Sequence, residues 1–546
     1  MKPSLRVRSA FLLPAFAAFL ALVSGCGQRE LVIDRAAREQ TLMMGNHSEP
    51  RDLDPQILTS QQEYNIMMAL FEGLTAPNPK DLSPEPGVAE RWDVAPDLMS
   101  YTFHLRKNAK WQNGDPVTAK DFLYSFQRML SPRLGSEYAY MHWVVKGAKE
   151  FNEGKLTDFS KTGYSAPDDQ TLKIELTGPT PYFLSMMYHL SWFPIHRATI
   201  EKFGPIDERA TKWTRPGNHV GNGPFRLKDW KPNQVITVEK SATYWDAAKV
   251  TLNQIQFFPI DSQDSEERTF RAGQLHITQS LPQAKIDVYK AEHPEFLTIH
   301  PFFGTYFFRM NVTNGVLADV RVRQALGMSI DREALVKTVA RGGQLAAYSI
   351  VPPGTAGYNA RTQVRFDIPA AKDLMAKAGF PDGKGFPKVE VLYNTDDGHK
   401  SICEALQRMW KQNLGIDISI VNQESKVWQD TMMQMNYQMA RYAWIGDYLD
   451  PNSFLDMFLT GGGNNQTGWS NKEFDRLIEE AGRTSDAAKR IELFQQAETI
   501  LVDEAPTIPI YFYTRVALVR PEVKGWERNL LDIHPYKYVS LETGNK

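Results

Sequence analysis

The sequence predicts a multi-domain α/β protein. A chain of 546 residues exceeds what one ordinary hydrophobic core organises, so two or three domains are expected. From about residue 250 onward, two-residue strand periodicity alternates with helical periodicity, the mark of mixed α/β architecture. Within that region PKVEVLYN, SICEALQRMWKQNLG and IDISIVNQ read as strand, helix and strand. Such a βαβ unit collects ligands at the loops after its strand C-termini.

The elements follow in order. TLMMG is a short apolar strand before turn residues, and EYNIMMALFEGL is a helix with Ile66, Met67, Leu70 and Phe71 on one face and Gly73 as its stop. YTFHLR alternates as a strand, NGDP turns, and Thr118 caps a helix to about Leu130 with Asp121 at its third position. TLKIEL is a further strand. GNGPFRLKDWKPNQVITVEK gives two strands around Lys-Pro-Asn, a hairpin. NQIQFFPI is a strand, SEERTFRAGQL a helix, and FLTIHPF and GTYFFRMNV two strands. Asp319 and Asp331 each cap a helix, the second closed by Gly342 and Gly343. A capping box at Ser470 and Glu473, a helix from Ala487 to about Glu504 and the strand signals of IPIYFYTRVALV complete the chain.

One stretch asks for a reason. RYAWIGDYLDPNSF, residues 441–454, carries Arg441, Trp444, Asp447, Tyr448 and Asp450 in what reads as a loop. Asp450 stands before Pro451 and the apolar Phe454, Leu455 and Phe458, so it reads as the N-cap of a helix with proline at its first position. Asp447 has no such structural use. It is either a solvated loop carboxylate or one partly desolvated by aromatic surface and awaiting an ammonium. Asn394 and His399 also fall at loop positions after strands.

Composition narrows the function classes. Hydrophobic content of 42% with 23% charged residues belongs to a folded globular chain. Net charge is −2, and loss of the first 25 residues, with Lys2, Arg6 and Arg8 and no acids, would leave −5. That balance argues against a nucleic-acid partner, whose phosphates call for a basic face. The same three cations precede an uncharged run from Ala10 to Val23, the size of a secretory signal core and short for a bilayer span. It ends Leu22-Val23-Ser24-Gly25-Cys26, which resembles a bacterial lipobox. Residues 1–25 are then a signal peptide, Cys26 is the lipidated first mature residue, and the protein is a membrane-anchored lipoprotein. Cys403, the other cysteine, shares a helical stripe with Ile402, Leu406, Met409 and Trp410 and reads as a core thiol. No disulfide is then expected.

Common catalytic patterns are absent from the sequence. The sequence has no Gly-x-Ser-x-Gly, no His-Glu-x-x-His and no Gly-x-x-x-x-Gly-Lys-Ser/Thr. Gly221-Asn222-Gly223-Pro224 is broken by proline, and the 11 histidines are scattered without metal-ligand spacing. Nothing indicates an enzyme, a metal or a cofactor.

The segments GVAERWDVAPDLMSYTFHLRKNAKWQNGDPVTAKDF, GNGPFRLKDW with ATYWD, and DVRVRQALGMSIDRE resemble solute-binding proteins of bacterial ABC peptide importers. LYNTDDGHK, IVNQE, ARYAWIGDYLDPNSF and IYFYTRVALV extend the resemblance, toward oligopeptide binders, over essentially the whole mature chain. It implies a periplasmic-binding-protein type II-like fold, with two hinged lobes and an additional domain on one of them. Lobe I would comprise residues 27–71, 198–303 and 515–546, the additional domain 72–197, and lobe II 304–514.

The resemblance also implies a function: a monomeric periplasmic receptor that holds short extended peptides between its lobes and delivers them to ABC transporter permease subunits. Asp447 would bind the peptide ammonium, Trp444 and Tyr138 would face the ligand, and Arg441, Asn394, His399 and Tyr513 would supply polar groups. For Trp444 and Tyr138 core packing is the alternative. The chain departs from the pattern at Gly304 and Ile445, where some relatives have a cysteine pair, and at Arg309, Ala340 and Thr59, where cleft charges differ. Arg441, His399 or Arg309 could each meet a ligand carboxylate. Rival readings are a receptor for murein peptides, dipeptides or another small solute on the same fold, a secreted hydrolase, and a periplasmic holdase.

Overall fold

The computed structural model describes residues 31–313 and 315–543, so Cys26 and the uncharged N-terminal run lie outside the described residues. Among the described residues no helix is long and apolar enough to cross a membrane. The architecture is mixed α/β and built on three main sheets.

The first sheet has the order Thr41–Gly45, Gln254–Phe258, Val235–Lys240, Phe225–Lys231, parallel in its first pair and antiparallel thereafter. The second joins Ala89–Val94, Ser100–Leu105, Thr171–Glu175 and Tyr164–Asp168 in antiparallel order. Its strands bury alternate residues: Tyr101, Phe103 and Leu105 face inward with Leu172 and Ile174, as expected of a sheet with one wet face. The helix Ala119–Met129 covers that face. It begins where Thr118 donates through its amide and hydroxyl to Asp121, the reciprocal cap its sequence specifies. Gln61–Leu70 starts with the same device at Ser60 and Glu63. Its last turn is crossed so closely by Gly223 that a Cβ there would lie 2.5 Å from the Phe71 amide, which gives Gly221 and Gly223 a packing reason to be glycine.

The third sheet has six strands, ordered Leu345–Ala346, Thr507–Leu518, Leu297–Met310, Met439–Ile445, Val389–Asn394, Ile418–Gln423. The last two are parallel and joined by the helix Asp397–Leu414, the βαβ unit read from the sequence. Cys403 lies in that helix, buried, with its thiol pushed up to about 12 by burial, so it is a core residue.

Several elements differ from expectation. FLTIHPF and GTYFFRMNV are one strand of 14 residues, Leu297–Met310, paired along its length with Thr507–Leu518. The pairing register shifts between Pro301 and Thr305, and that irregularity imitates a strand end in the sequence. The first half of the strand borders a core containing Phe270, Ile286 and Tyr289, while Tyr306, Phe308 and Met310 enter a core with Val391, Leu406 and Trp410. Two antiparallel strands therefore run from one body of the molecule to the other. The helix after Asp331 spans only Arg332–Leu335 before a π turn, Val336–Ala340, ended by Arg341 at φ 58°. Asn471, rather than Ser470, caps Lys472–Gly482; its side chain accepts the amides of Glu473 and Phe474, and Glu473 lies in the first turn.

Candidate functional site

Arg441 and Trp444 lie on the strand Met439–Ile445 rather than in a loop. His399 stands in the first turn of the helix Asp397–Leu414, its amide capped by Asp396 at 2.9 Å. The loop proper begins at Gly446. A Cβ there would collide with the Phe303 ring, and the Gly446 amide donates to the Phe303 carbonyl at 2.8 Å, so glycine lets this corner sit tightly on the crossing strand.

Asp447 follows, and its amide donates to Ser453 Oγ at 2.9 Å. The Tyr140 hydroxyl donates to Asp447 Oδ2 at 2.9 Å. Among the described residues no cation pairs with this carboxylate. Burial pushes its pKa up to about 6, although the hydroxyls of Tyr140 and Tyr138 pull the other way. It borders a cavity of about 400 Å³ with Tyr138, His189, Ile445 and Arg515. The Tyr138 ring stands edge-on to His189, with centroids 4.5 Å apart.

Asp450 is not chiefly a helix cap. Its oxygens accept two hydrogen bonds of 2.6 Å from Arg490, deep in the structure. The short helix starts one residue late, at Asn452, whose amide still donates to Asp450 at 2.9 Å. Asp456 completes a group of three neighbouring acids, of which only Asp450 is paired with an arginine. Burial and the charges of Asp447 and Asp450 push its carboxyl up to about 8, so it is protonated at neutral pH. The loop thus carries one paired carboxylate, one neutral acid, and Asp447, which is left for something else.

A second cluster forms around Arg441. The parallel register that places Val391 opposite Met439 and Leu392 opposite Ala440 brings Arg441 within one residue of the strand end at Asn394. Arg441 Nη1 donates to Asn394 Oδ1 at 3.0 Å and Nη2 to Tyr513 Oη at 3.1 Å. The guanidinium lies 4.8 Å from the centre of the Tyr306 ring, and its buried Nε finds no partner among the described residues. His399 Nδ1 is 3.5 Å from the Tyr306 hydroxyl, and burial, with the Arg441 charge, lowers its pKa to about 3. Arg441 and Ile445 share a strand face, about 13 Å apart along the chain.

The structure therefore gathers Asp447 with Tyr138, and separately Arg441 with Asn394, His399 and Tyr513. Trp444 joins neither group. Its ring packs with Phe454 and Leu455, and its Nε1 donates to the Ser453 carbonyl at 2.5 Å, supporting the loop from behind. Arg309 is unavailable to a ligand carboxylate, since it is buried, donates to Gln466 at 2.6 Å and stacks 3.5 Å from the Tyr442 ring centre. Thr59 borders the cavity, and Ala340 is buried at the end of the π turn. Tyr140, Ser453 and Asp456 were not singled out by the sequence. Only the nearness of Tyr140 to Tyr138 pointed toward any of them.

Comparison with known proteins agrees with this architecture. The model of the bacterial extracellular solute-binding proteins, family 5 (middle region), matches residues 83–466. The chain is 39% identical over 501 residues to the periplasmic oligopeptide-binding protein OppA of Escherichia coli, covering 90% of each. Among solved structures it resembles the Escherichia coli murein tripeptide binding protein MppA (TM-score 0.81, 34% identity, 92% of this chain and 98% of that one). It also resembles Haemophilus influenzae OppA in complex with RPPGFSPFR (TM-score 0.80, 30% identity, 92% and 99%). Family match, identity and fold, each spanning most of the chain, place this protein among the bacterial extracellular solute-binding proteins of family 5, with their two-lobed type II periplasmic-binding fold.

Proposed function

We propose that the protein captures short peptides between its lobes, in the periplasm, and delivers them to the permease of an ABC transporter. The observation that carries this reading is Asp447, a carboxylate beside a cavity, oriented by its backbone and the hydroxyls of Tyr140 and Tyr138 and left without a cation among the described residues. A peptide ammonium supplies that cation. The pair forms away from bulk water, where a charge-assisted hydrogen bond outweighs a neutral one. Arg441, with Asn394, Tyr513 and His399 beside it, lies further along the same strand face, toward the ligand's other end. Backbone and termini are common to all peptides, so affinity built on them tolerates many side chains, with water adapting to each. No bond is made or broken.

In this reading residues 27–71, 198–303 and 515–546 form lobe I, 72–197 the additional domain and 304–514 lobe II. The register irregularity in the crossing strand, between Pro301 and Thr305, coincides with the proposed boundary. The protein acts as a monomer anchored by a lipid on Cys26. A murein peptide receptor is the second reading, favoured by the likeness to MppA. Native mass spectrometry of the purified protein, with sequencing of what it releases, tests both. Mixed short peptides are expected; a single non-peptide solute would overturn the first reading, and a murein fragment would establish the second.

A further inference from the structure

Besides its histidines, the cavity beside Asp447 is bordered by one carboxylate, Asp447, and one guanidinium, Arg515; the remaining polar lining consists of hydroxyls and the amides of Gln61, Gln62, Gln263 and Gln279. An ammonium site accounts for Asp447 and leaves Arg515 without a role. Arg515 lies on the crossing strand two positions beyond Tyr513 and, by strand periodicity, on the same face. Its Nε is held 2.7 Å from Asp532 Oδ2. Asp532 is itself fixed 2.9 Å from His534 Nε2 and 3.7 Å from His300. Burial alone would raise the Asp532 pKa, but Arg515 and His534 bring it down to about 2, so it is an anion that anchors one edge of the guanidinium at any physiological pH. Glu266 is near enough to feel the Arg515 charge but forms no ion pair with it; its oxygens accept from the Gln279 backbone N–H at 2.7 Å and from the Ser280 backbone N–H and hydroxyl at 3.1 Å. The Arg515 side chain remains 20% exposed, and among the described residues its Nη groups donate no hydrogen bond within the protein.

We propose that the free edge of Arg515 is a carboxylate subsite, and that the protein prefers peptides with an acidic group in their first two residues. This rests on the peptide reading, with the ammonium at Asp447. A guanidinium fixed at Nε presents its Nη pair to a carboxylate as a planar fork, an arrangement lysine cannot copy. The position follows from size: a cavity of this volume is on the order of 10 Å across, and an extended chain advances about 3.4 Å per residue, so both charges reach only the amino-terminal part of one ligand. An aspartate or glutamate side chain fits, as does the free α-carboxylate of a residue joined through its side chain.

The test is calorimetry of ligand-stripped full-length protein with Ala-Glu-Ala, Ala-Gln-Ala, Glu-Ala-Ala and Gln-Ala-Ala. The native protein should bind the better glutamyl peptide about tenfold more tightly than its glutaminyl twin, as one charge-assisted hydrogen bond allows. In Arg515→Gln that ratio should fall to about one whatever the absolute affinities, while Arg515→Lys keeps part of it. A circular dichroism melt guards against misfolding, and the lysine variant serves if the glutamine variant does not fold. Equal binding of glutamyl and glutaminyl peptides by the native protein would overturn the subsite and leave the peptide reading intact. Binding of none of the four would overturn both.

Discussion

The Tyr140 hydroxyl lies 2.9 Å from Asp447 Oδ2, joining residues 307 positions apart in the chain. Because the donor is neutral, it orients the carboxylate without neutralising it. The Tyr138 hydroxyl acts in the same way, so the negative charge is kept and, in the peptide reading, is met by the ligand's ammonium. The Tyr140 contact ties the helical turn Ala139–His142 to the loop after Met439–Ile445 and sets the first prediction.

Asp447→Asn should weaken binding of peptides with free amino termini by about 1.5 to 3 kcal/mol, the range of hydrogen bonds to charged groups. Amino-terminally acetylated peptides should be poor ligands of the native protein. Calorimetry showing equal affinity for free and acetylated forms would remove Asp447 from its role.

Peptide affinity should fall in acid. The empty site holds the Asp447 pKa at about 6, whereas the bound ammonium requires the anion, so binding releases a proton below that pH and is full above it. Affinity at pH 5 should be about tenfold below that at pH 7.5. Tyr140→Phe removes a donor that favours the anion and should move the midpoint upward. A flat profile in the native protein, or an unmoved one in the variant, contradicts the assignment.

Gly304 and Ile445 are cross-strand partners, and a Cβ at 304 would collide with Ile445 Cδ1. Gly304→Ala alone should cost no more than about 1 kcal/mol, because the obstructing Cδ1 is the free end of an exposed side chain that can turn away. Replacing both by cysteine removes the obstruction and leaves paired Cα atoms about 5 Å apart, within reach of a disulfide. Intact-mass analysis under oxidising conditions should show the bridge; persistence of two free thiols would show that the pair is wrongly placed.

Arg490→Leu should cost about 3 to 5 kcal/mol, since it strands the buried Asp450 beside two other acids. Arg490→Lys should recover little, having no fork to match the two 2.6 Å bonds. Urea melts measure both, and a lysine variant as stable as the native protein would show that the pairing geometry is unimportant.

Cys26→Ser should release the protein from membrane fractions of the producing cell. Unchanged partitioning would remove the lipid anchor from the proposal.

Much of the fold was legible because local rules and tertiary demands coincide. Thr118 with Asp121 fixes a helix start without help from the rest of the chain, and the alternation of Tyr101, Phe103 and Leu105 needs only one dry side. Legibility failed where long-range packing overrode local signals. Pro301 and Gly304 read as a break, yet the strand passes through them because Thr507–Leu518 pairs on both sides. Asp450 satisfies every local criterion of a cap and is claimed instead by Arg490, 40 residues away. At the site, the sequence marked Asp447 by the lack of any structural use for it. It could not supply Tyr140 or Arg515, which arrive from distant segments and carry no pattern of their own.

The two crossing strands also limit how the molecule can move. A two-stranded ribbon resists stretching and sideways shear but yields in twist, which is where such ribbons vary most. Relative motion of the lobes is thereby reduced to something close to one rotation about an axle. Phe302, inside the irregular stretch of that axle, borders the cavity beside Asp447. In the peptide reading, a ligand's first residue would therefore bear directly on the shaft, while its far end would act on a lever arm. Grip on the amino terminus should set whether the jaws shut, and the rest of the ligand how long they stay shut.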